Sequence, residues 1–435
     1  MSQSPQALPL RIGLAGLGNV GGGVVRLLAE NADLIARRAG RPIIVTAISA
    51  RDRSRDRGLD LAPYAWVDDA TELAGRDDVD VVVELIGGSD GPALTLARRT
   101  FAAGKALVTA NKAMLAHHGL DLAAAAEAAS LALKYEAAVA GGIPIIKALS
   151  EGMAANRIAR VYGLLNGTCN YILTRMETER LGFATVLAEA QAAGYAEADP
   201  SFDIDGIDTA HKLSILAALA FGARIDFAAV ATHGIRAVEL ADIDQARALG
   251  FRIKLVGLAE HEDGTLFQRV HPALVPLDHP LAAASGALNA VAAEGDFVGR
   301  LFFQGRGAGE GPTASAVVAD LIDIARGVAG NPFGMPVASL AALPTADVAS
   351  RRGRYYLRLT VADRPGVLAE LTAALRDHGV SIESLIQRGA SSNGDAMVVM
   401  VTHNAGEAQV LASLAQMAGG DSVTSAPVMM HILDF

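Results

Sequence analysis

A single cysteine, Cys169, stands in 435 residues. That leaves no partner for an intrachain disulfide and no multi-cysteine zinc or iron–sulfur site. Basic residues are outnumbered, 37 Lys and Arg against 47 Asp and Glu, for a net charge of −10. Such a chain has no general pull on nucleic acid or anionic lipid. No run of about 18 apolar residues is present, so no transmembrane helix is expected. The opening MSQSPQALPL lacks the basic start and apolar stretch of a signal peptide, and a cytoplasmic location is the expectation. Internal repeats are absent as well. What is present is apolar bulk: 51% hydrophobic residues and 45 glycines exclude intrinsic disorder. The length fits about three domains.

The pattern along the chain divides it. Residues 11–18, 42–49, 79–87, 106–109 and 132–136 read as strands, the second and third as near-continuous β-branched runs. Helical stretches fall at 20–38, 93–103 and 119–132. Buried β-branched strands alternating with helices predict a doubly wound, Rossmann-type parallel sheet over residues 1–140. Residues 141–330 read as an α+β unit for substrate binding and dimerisation, with helices at 144–155, 183–193, 207–221 and 313–328 and strands at 158–165, 251–259 and 266–270. Residues 331–353 read as a linker. Over 354–435, strands at 355–361, 395–402 and 423–433 with helices at 367–379 and 406–418 suit a ferredoxin-like βαββαβ order.

Gly16-Leu17-Gly18-Asn19-Val20-Gly21 follows the first strand and opens a helix. In that context the first glycine makes a tight turn, the second lets the backbone approach a pyrophosphate, and the third allows close helix packing. The helix N-terminus then offers N–H groups to the anion. The alternative is a plain glycine-rich turn. The second strand ends at Ser49-Ala50, where an Asp or Glu would bind the ribose of NAD. Arg51 stands next instead, placed to meet a 2′-phosphate, and favours NADP over NAD; Asp52 leaves the ribose reading open.

Asp208 and Lys212 lie four residues apart in an expected helix and face the same way. Apolar neighbours Ile207, Leu213, Ile215 and Leu216 place part of that helix in the interior. A buried lysine is costly unless paired or used, and beside carboxylates it can protonate a developing alkoxide. The bland alternative is a surface ion pair. Lys112, in Val108-Thr109-Ala110-Asn111-Lys112, follows a strand on the side where doubly wound sheets bind ligands; the bland alternative is a solvated loop lysine.

These blocks, together with VVELIGG (82–88), TANKAML (109–115), EAAVAGGIPII (136–146), LNGTCNYI (165–172), GYAEADP (194–200), DIDGIDTAHKL (203–213) and GAGEGPTASAVVADL (307–321), come in the order seen in homoserine dehydrogenases, which residues 11–330 therefore resemble. The last 80 or so residues resemble an ACT domain, with DRPGVL (363–368) as its signature. The resemblance implies interconversion of L-homoserine and L-aspartate 4-semialdehyde with NADP or NAD, in a pathway to threonine, methionine and isoleucine. It implies Lys212 as proton donor, Glu197 and Asp208 as holders of the substrate amino group, and Lys112 beside nicotinamide and substrate. Gly194 and Gly309 match positions near the cofactor. A monovalent cation, sodium, is implied at Glu136, Val139, Gly141 and Ile143. The ACT tail implies an amino-acid effector, threonine being the obvious end product, at 363–368 and 379–382, and a homodimer or homotetramer.

Two rival readings follow from the residues. Cys169 would be the nucleophile of an acylating NADP-dependent semialdehyde dehydrogenase, although a lone Cys is more often a small core residue. The chain could also be a non-catalytic amino-acid sensor. His117, His118, His211 and His233 show no metal-ligand spacing.

Overall fold

The structure, a computed structural model, describes residues 8–388 and 394–434. Strands β1 (Leu10–Ala15), β2 (Ile43–Ser49), β3 (Ala65–Trp66), β4 (Val81–Glu84), β5 (Ala106–Thr109) and β6 (Leu133–Lys134) form one parallel sheet in the order β3-β2-β1-β4-β5-β6. Alternate residues serve opposite faces. Ile12, Leu14, Val81 and Val83 point into one apolar layer, Val82 and Leu107 into the other. The order reverses between β1 and β4, the crevice where doubly wound sheets bind ligands.

Helix Asn19–Glu30 covers the first face. The stretch 20–38, expected as one helix, is two, because the chain breaks at Asn31 before Ala32–Ala39. Helix Glu310–Ala325 lies on the same face: Ala314, Val317 and Leu321 share a core with Val24 and Leu28. A Cβ on Gly23 would sit 2.7 Å from Glu310 Cγ, so the two helices touch closely. The chain therefore returns to its first sheet well before the boundary expected at 330.

The middle of the chain supplies β7 (Ile158–Leu164), β8 (Ala231–Thr232), β9 (Phe251–Glu262), β10 (Thr265–Pro276), β11 (Leu288–Gly295) and β12 (Gly299–Arg306). The β11–β12 hairpin was not expected, since its alanines carry little β signal. Helix Gly167–Glu179 was also not expected. Its Gly, Thr, Cys and Asn are weak helix formers, and Asn166 compensates by accepting the Cys169 N–H at 2.8 Å. The expected helix 144–155 is a short turn, Ile145–Lys147, running into a π-type turn, Ala148–Gly152.

The C-terminal segment folds as β13 (Arg352–Ala362), helix Val367–Asp377, β14 (Ile382–Arg388), β15 (Asp395–Thr402), β16 (Ala405–Gly406), helix Glu407–Ala418 and β17 (Val428–Ile432). Apart from short β16 this is the βαββαβ order. Strand β13 begins inside the expected linker. Strand β17 pairs in parallel with β10, Ala273 opposite His431. The tail thereby joins the middle unit in one sheet of order β12-β11-β7-β9-β10-β17-β13-β15-β14. Among the described residues no helix is long and apolar enough to cross a membrane.

Candidate active site

The glycine loop follows β1. Gly16 has φ +105°, and a Cβ there would meet the Leu85 carbonyl at 2.6 Å. A Cβ on Gly21 would lie 2.0 Å from the Gly16 carbonyl oxygen, so only glycine lets the helix pack onto the turn. Around Gly18 there is open space. The helix starts at Asn19 with no side-chain cap and no acidic residue in its first turn. The N–H groups around Asn19, Val20 and Gly21 thus stand free for an anion. Arg51 lies exposed beyond β2. Arg57, which the sequence did not single out, bridges the same loop to the glycine turn: its Nε donates to the Leu17 carbonyl at 3.0 Å.

The ends of β4 and β5 are tied by Glu84, buried at the end of β4. Its carboxylate accepts from the Ile86 and Gly87 amides at 2.7 and 3.0 Å and from the Thr109 hydroxyl at 2.5 Å. Asn111 donates to the Gly88 carbonyl and caps the next helix by accepting the Met114 amide at 3.0 Å. Lys112 is therefore the first residue of helix Lys112–Ala128, not a loop residue. A cation there opposes the helix dipole; Asp208 Oδ1, 3.3 Å from Lys112 Nζ, offsets that cost.

Asp208 and Lys212 share helix Ile207–Phe221, which is buried almost all round and begins and ends at left-handed Gly206 and Gly222. Lys212 Nζ donates to Asp208 Oδ2 and to the Leu165 carbonyl, each at 2.7 Å. Asn166 donates to Asp208 Oδ2 at 2.9 Å and to Asp203 Oδ1 at 2.7 Å. Burial alone would raise the Asp208 pKa, but Lys212, then Lys112, hold it well below the ordinary carboxylate range. Asp203 is pushed up, first by burial and then by the charge of Asp208. Asp203 stands in the acidic run that the sequence places before Asp208 and Lys212, without a role of its own, and Asn166 is not marked as a site residue by the sequence. The nearest signal was polar NGTCN after an apolar strand.

One wall is aromatic. His211 packs 4.3 Å from Phe227 and 5.5 Å from Phe202, and burial, then His117, push its pKa down to about 4. Phe202 faces Lys112 Nζ at 5.7 Å. Gly194, at φ +76°, starts an exposed loop pinned by Tyr195 stacking on Tyr171 at 4.5 Å. Glu197 is exposed on that loop, its carbonyl accepting from Gln191. Among the described residues no hydrogen bond or ion pair joins its side chain to Asp208 or Lys212. The nucleophile reading of Cys169 does not hold. Its thiol is fully buried, lies 3.2 Å from the Asp203 carbonyl, and is pushed well up in pKa by burial and then by Asp203.

Gly309 has φ +114° and precedes helix Glu310–Ala325. Nearby, Ala140 and Gly141 both adopt left-handed backbone, and a Cβ on Gly141 would meet the Gly307 carbonyl at 2.5 Å. Buried Glu136 accepts from the Ile146 and Lys147 amides at 2.9 and 3.0 Å. Burial, then the charge of Asp320, push its pKa up to about 7. In the tail, Asp363–Gly366 form an exposed turn into helix Val367–Asp377, whose first residue Val367 is buried, and Ile382 opens β14.

Three family profiles match in order: homoserine dehydrogenase, NAD binding domain, over residues 16–136; homoserine dehydrogenase over 144–322; and ACT domain over 355–419. The homoserine dehydrogenase of Neisseria gonorrhoeae is 44% identical over 434 residues, 98% of each chain. That of Pseudomonas aeruginosa is 42% identical over 98% of this chain and 99% of its own. The crystal structure of a homoserine dehydrogenase from Thiobacillus denitrificans superposes with a TM-score of 0.92 at 42% identity, covering 98% of this chain and 99% of that one. A hyperthermophilic archaeal homoserine dehydrogenase in complex with NADPH matches with a TM-score of 0.62 at 25% identity, over 73% of this chain and 97% of that one. The chain belongs to the homoserine dehydrogenase family, oxidoreductases that act on a CH–OH group with a nicotinamide cofactor.

Proposed function

We propose that the chain interconverts L-homoserine and L-aspartate 4-semialdehyde with Lys212 as proton donor to the carbonyl oxygen. The observation that carries this is the wiring of one ammonium. Two of the three Lys212 N–H groups go to Leu165 and Asp208, so one remains for a substrate oxygen. As negative charge builds on that oxygen, a fixed, buried ammonium stabilises it and transfers the proton. Lys112 adds a second positive charge on the far side of Asp208. Asp208 holds both lysines and keeps one lone pair for the substrate ammonium, with Glu197 as the second holder when the 194–200 loop covers the site. A bound nicotinamide dinucleotide supplies or accepts the hydride. The open space at Gly18, with free amides at Asn19, Val20 and Gly21, fits its pyrophosphate. Gly194 and Gly309 flank the cofactor in this reading.

Spectrophotometric oxidation of homoserine by the purified chain tests the proposal. Nicotinamide reduction is expected, and its absence with both NADP and NAD overturns it. Arg51 favours NADP: Arg51→Ala is expected to weaken NADPH binding about tenfold while leaving NADH unchanged, the value of one charge-assisted contact. Equal losses for both cofactors would remove Arg51 from phosphate recognition.

A sodium ion suits Glu136 with the carbonyls of Val139, Gly141 and Ile143, an all-oxygen set for a hard cation. The buried, poorly compensated Glu136 carboxyl supports it. The cation would order the turn between the two sheets. We assign an amino-acid effector, threonine, to the 363–368 and 379–382 turns, and a dimer or tetramer as the assembly; unchanged activity with threonine added would overturn the first.

A further inference from the structure

Along the outer edge of β10, β8 pairs at Arg269–Val270 and β17 at Ala273–Leu274. Neither strand covers His271-Pro272, and Pro272 has no N–H to offer a neighbour. A cavity of about 550 Å³ opens at this gap, between the tail and the middle unit. That volume lies within the range of small-molecule sites, roughly 300–1,000 Å³. Its body is aliphatic: Val238, Leu411, Val428 and Met429 line it.

The polar end is unusual in its charge balance. Arg269 grips Glu407 through two hydrogen bonds of 2.8 and 2.9 Å, and His431 Nε2 lies 3.0 Å from the same carboxylate. Burial would raise the Glu407 pKa, but the hydrogen bonds from His431 and Arg269 hold it at about 2. Glu407 is thus already neutralised. Two buried groups remain over. His271 is 5% exposed and neither ring nitrogen has a hydrogen-bond partner; Arg269, 3% exposed, leaves its Nε unpaired. Burial pushes the His271 pKa well down, so its ring is a neutral imidazole with one N–H donor and one acceptor nitrogen; buried polar atoms of this kind are costly without a partner.

We propose that this cavity binds a small aliphatic carboxylate, as an aliphatic amino acid or its 2-oxo acid presents, with the carboxylate at His271 and Arg269 and the aliphatic body against Val238, Leu411 and Met429. The site is built from both units and is separate from the 363–368 turn. Its wall reaches the active site directly. A Cβ on Gly234 would lie 2.0 Å from the Ile204 carbonyl oxygen, and the Ile235 amide donates to that carbonyl at 2.8 Å. The Ile204–Gly206 turn sets the start of the helix that carries Asp208 and Lys212. Occupancy therefore shifts the KM for homoserine, by about fivefold or more for a coupling of ordinary size. This second part rests on Asp208 and Lys212 being the reacting centre; binding itself does not.

The test is isothermal titration calorimetry on the full chain, with valine, leucine and threonine in one arm and the matching 2-oxo acids in the other. Saturable binding is expected in the wild type, weakened tenfold or more by His271→Phe and by Leu411→Glu, which sets a like charge at the exposed mouth. Binding of amino acids alone assigns their ammonium to Asp205 at the rim; binding of both classes leaves the carboxylate as the recognised group. No heat in either arm, or binding undiminished in Leu411→Glu, overturns the site, whether or not His271→Phe folds. Binding without a KM shift overturns the coupling. Binding in a chain that fails to oxidise homoserine would sink the assigned reaction and leave the site standing.

Discussion

Two buried carboxylates of this chain, Asp208 and Glu136, are each 3% exposed, yet they carry opposite charge demands. Asp208 meets two ammonium groups and the amide of Asn166, and stays ionised. Glu136 meets two backbone amides and a second acid, Asp320, and its pKa rises to about 7. The nearby Lys147 ammonium relieves it only in part, because it turns to Asp323 at 2.5 Å and Asp320 at 3.5 Å. Burial is the same in both places, so the difference lies in the neighbours. Around Asp208 the protein supplies its own counter-charge, and two of the three Lys212 N–H groups are spent on Asp208 and Leu165. Around Glu136 it supplies two backbone amides and a second acid, and the carboxyl is left poorly compensated.

Breaking the first cluster gives the largest effect. Lys212→Ala is expected to lower turnover by about two to four orders of magnitude, the usual range for a general acid, or about 3 to 5 kcal/mol of barrier. Steady-state homoserine oxidation measures it, and near-normal turnover would end the assignment. Glu136→Gln should cost far less by the same assay. A comparable loss there would mean that the two clusters act as one. A smaller effect attends Asn166→Ala. It removes the helix cap on the Cys169 amide and the donor shared by Asp203 and Asp208, leaving buried Asp208 and half-buried Asp203 facing each other. We expect about 1–3 kcal/mol of lost stability, seen as a lower thermal midpoint. An unchanged midpoint would show that the lysines alone hold Asp208.

The contrast also separates what the sequence discloses from what it does not. The glycine turn was legible because each glycine answers a local steric demand, and β1, β4 and β5 because β-branched runs mark strands buried on both faces. Asp208 and Lys212 stood out as charges in an otherwise apolar helix. Asn166 did not, since its meaning lies in contacts with Asp203 and Asp208, 37 and 42 residues away. The placement of Lys112 at a helix start depended on the Asn111 cap, and the return of helix Glu310–Ala325 to the first sheet depended on long-range packing against Gly23. The parallel joint between β10 and β17 leaves no local trace at all.

The smallest effect probes the second cluster. Glu136 has a folded pKa of about 7 against an ordinary 4.5, and Asp320 about 6 against 3.8. Raised acids favour the folded state while protonated. Their contribution is fully present below the ordinary values and is lost as pH rises through the folded ones. A cation that binds only ionised Glu136 restores the loss. The thermal midpoint in sodium chloride, minus that in choline chloride at equal ionic strength, should be near zero at pH 5 and grow through pH 7. Sodium at about ten times its Kd gives about 1.4 kcal/mol, or a few degrees. His211 and His279, both pushed down to about 4 by burial first, titrate alike in the two salts and cancel from the difference. Equal midpoints at pH 8 would mean that Glu136 sits beside no cation. A sodium effect constant across this range would place the ion elsewhere on the molecule.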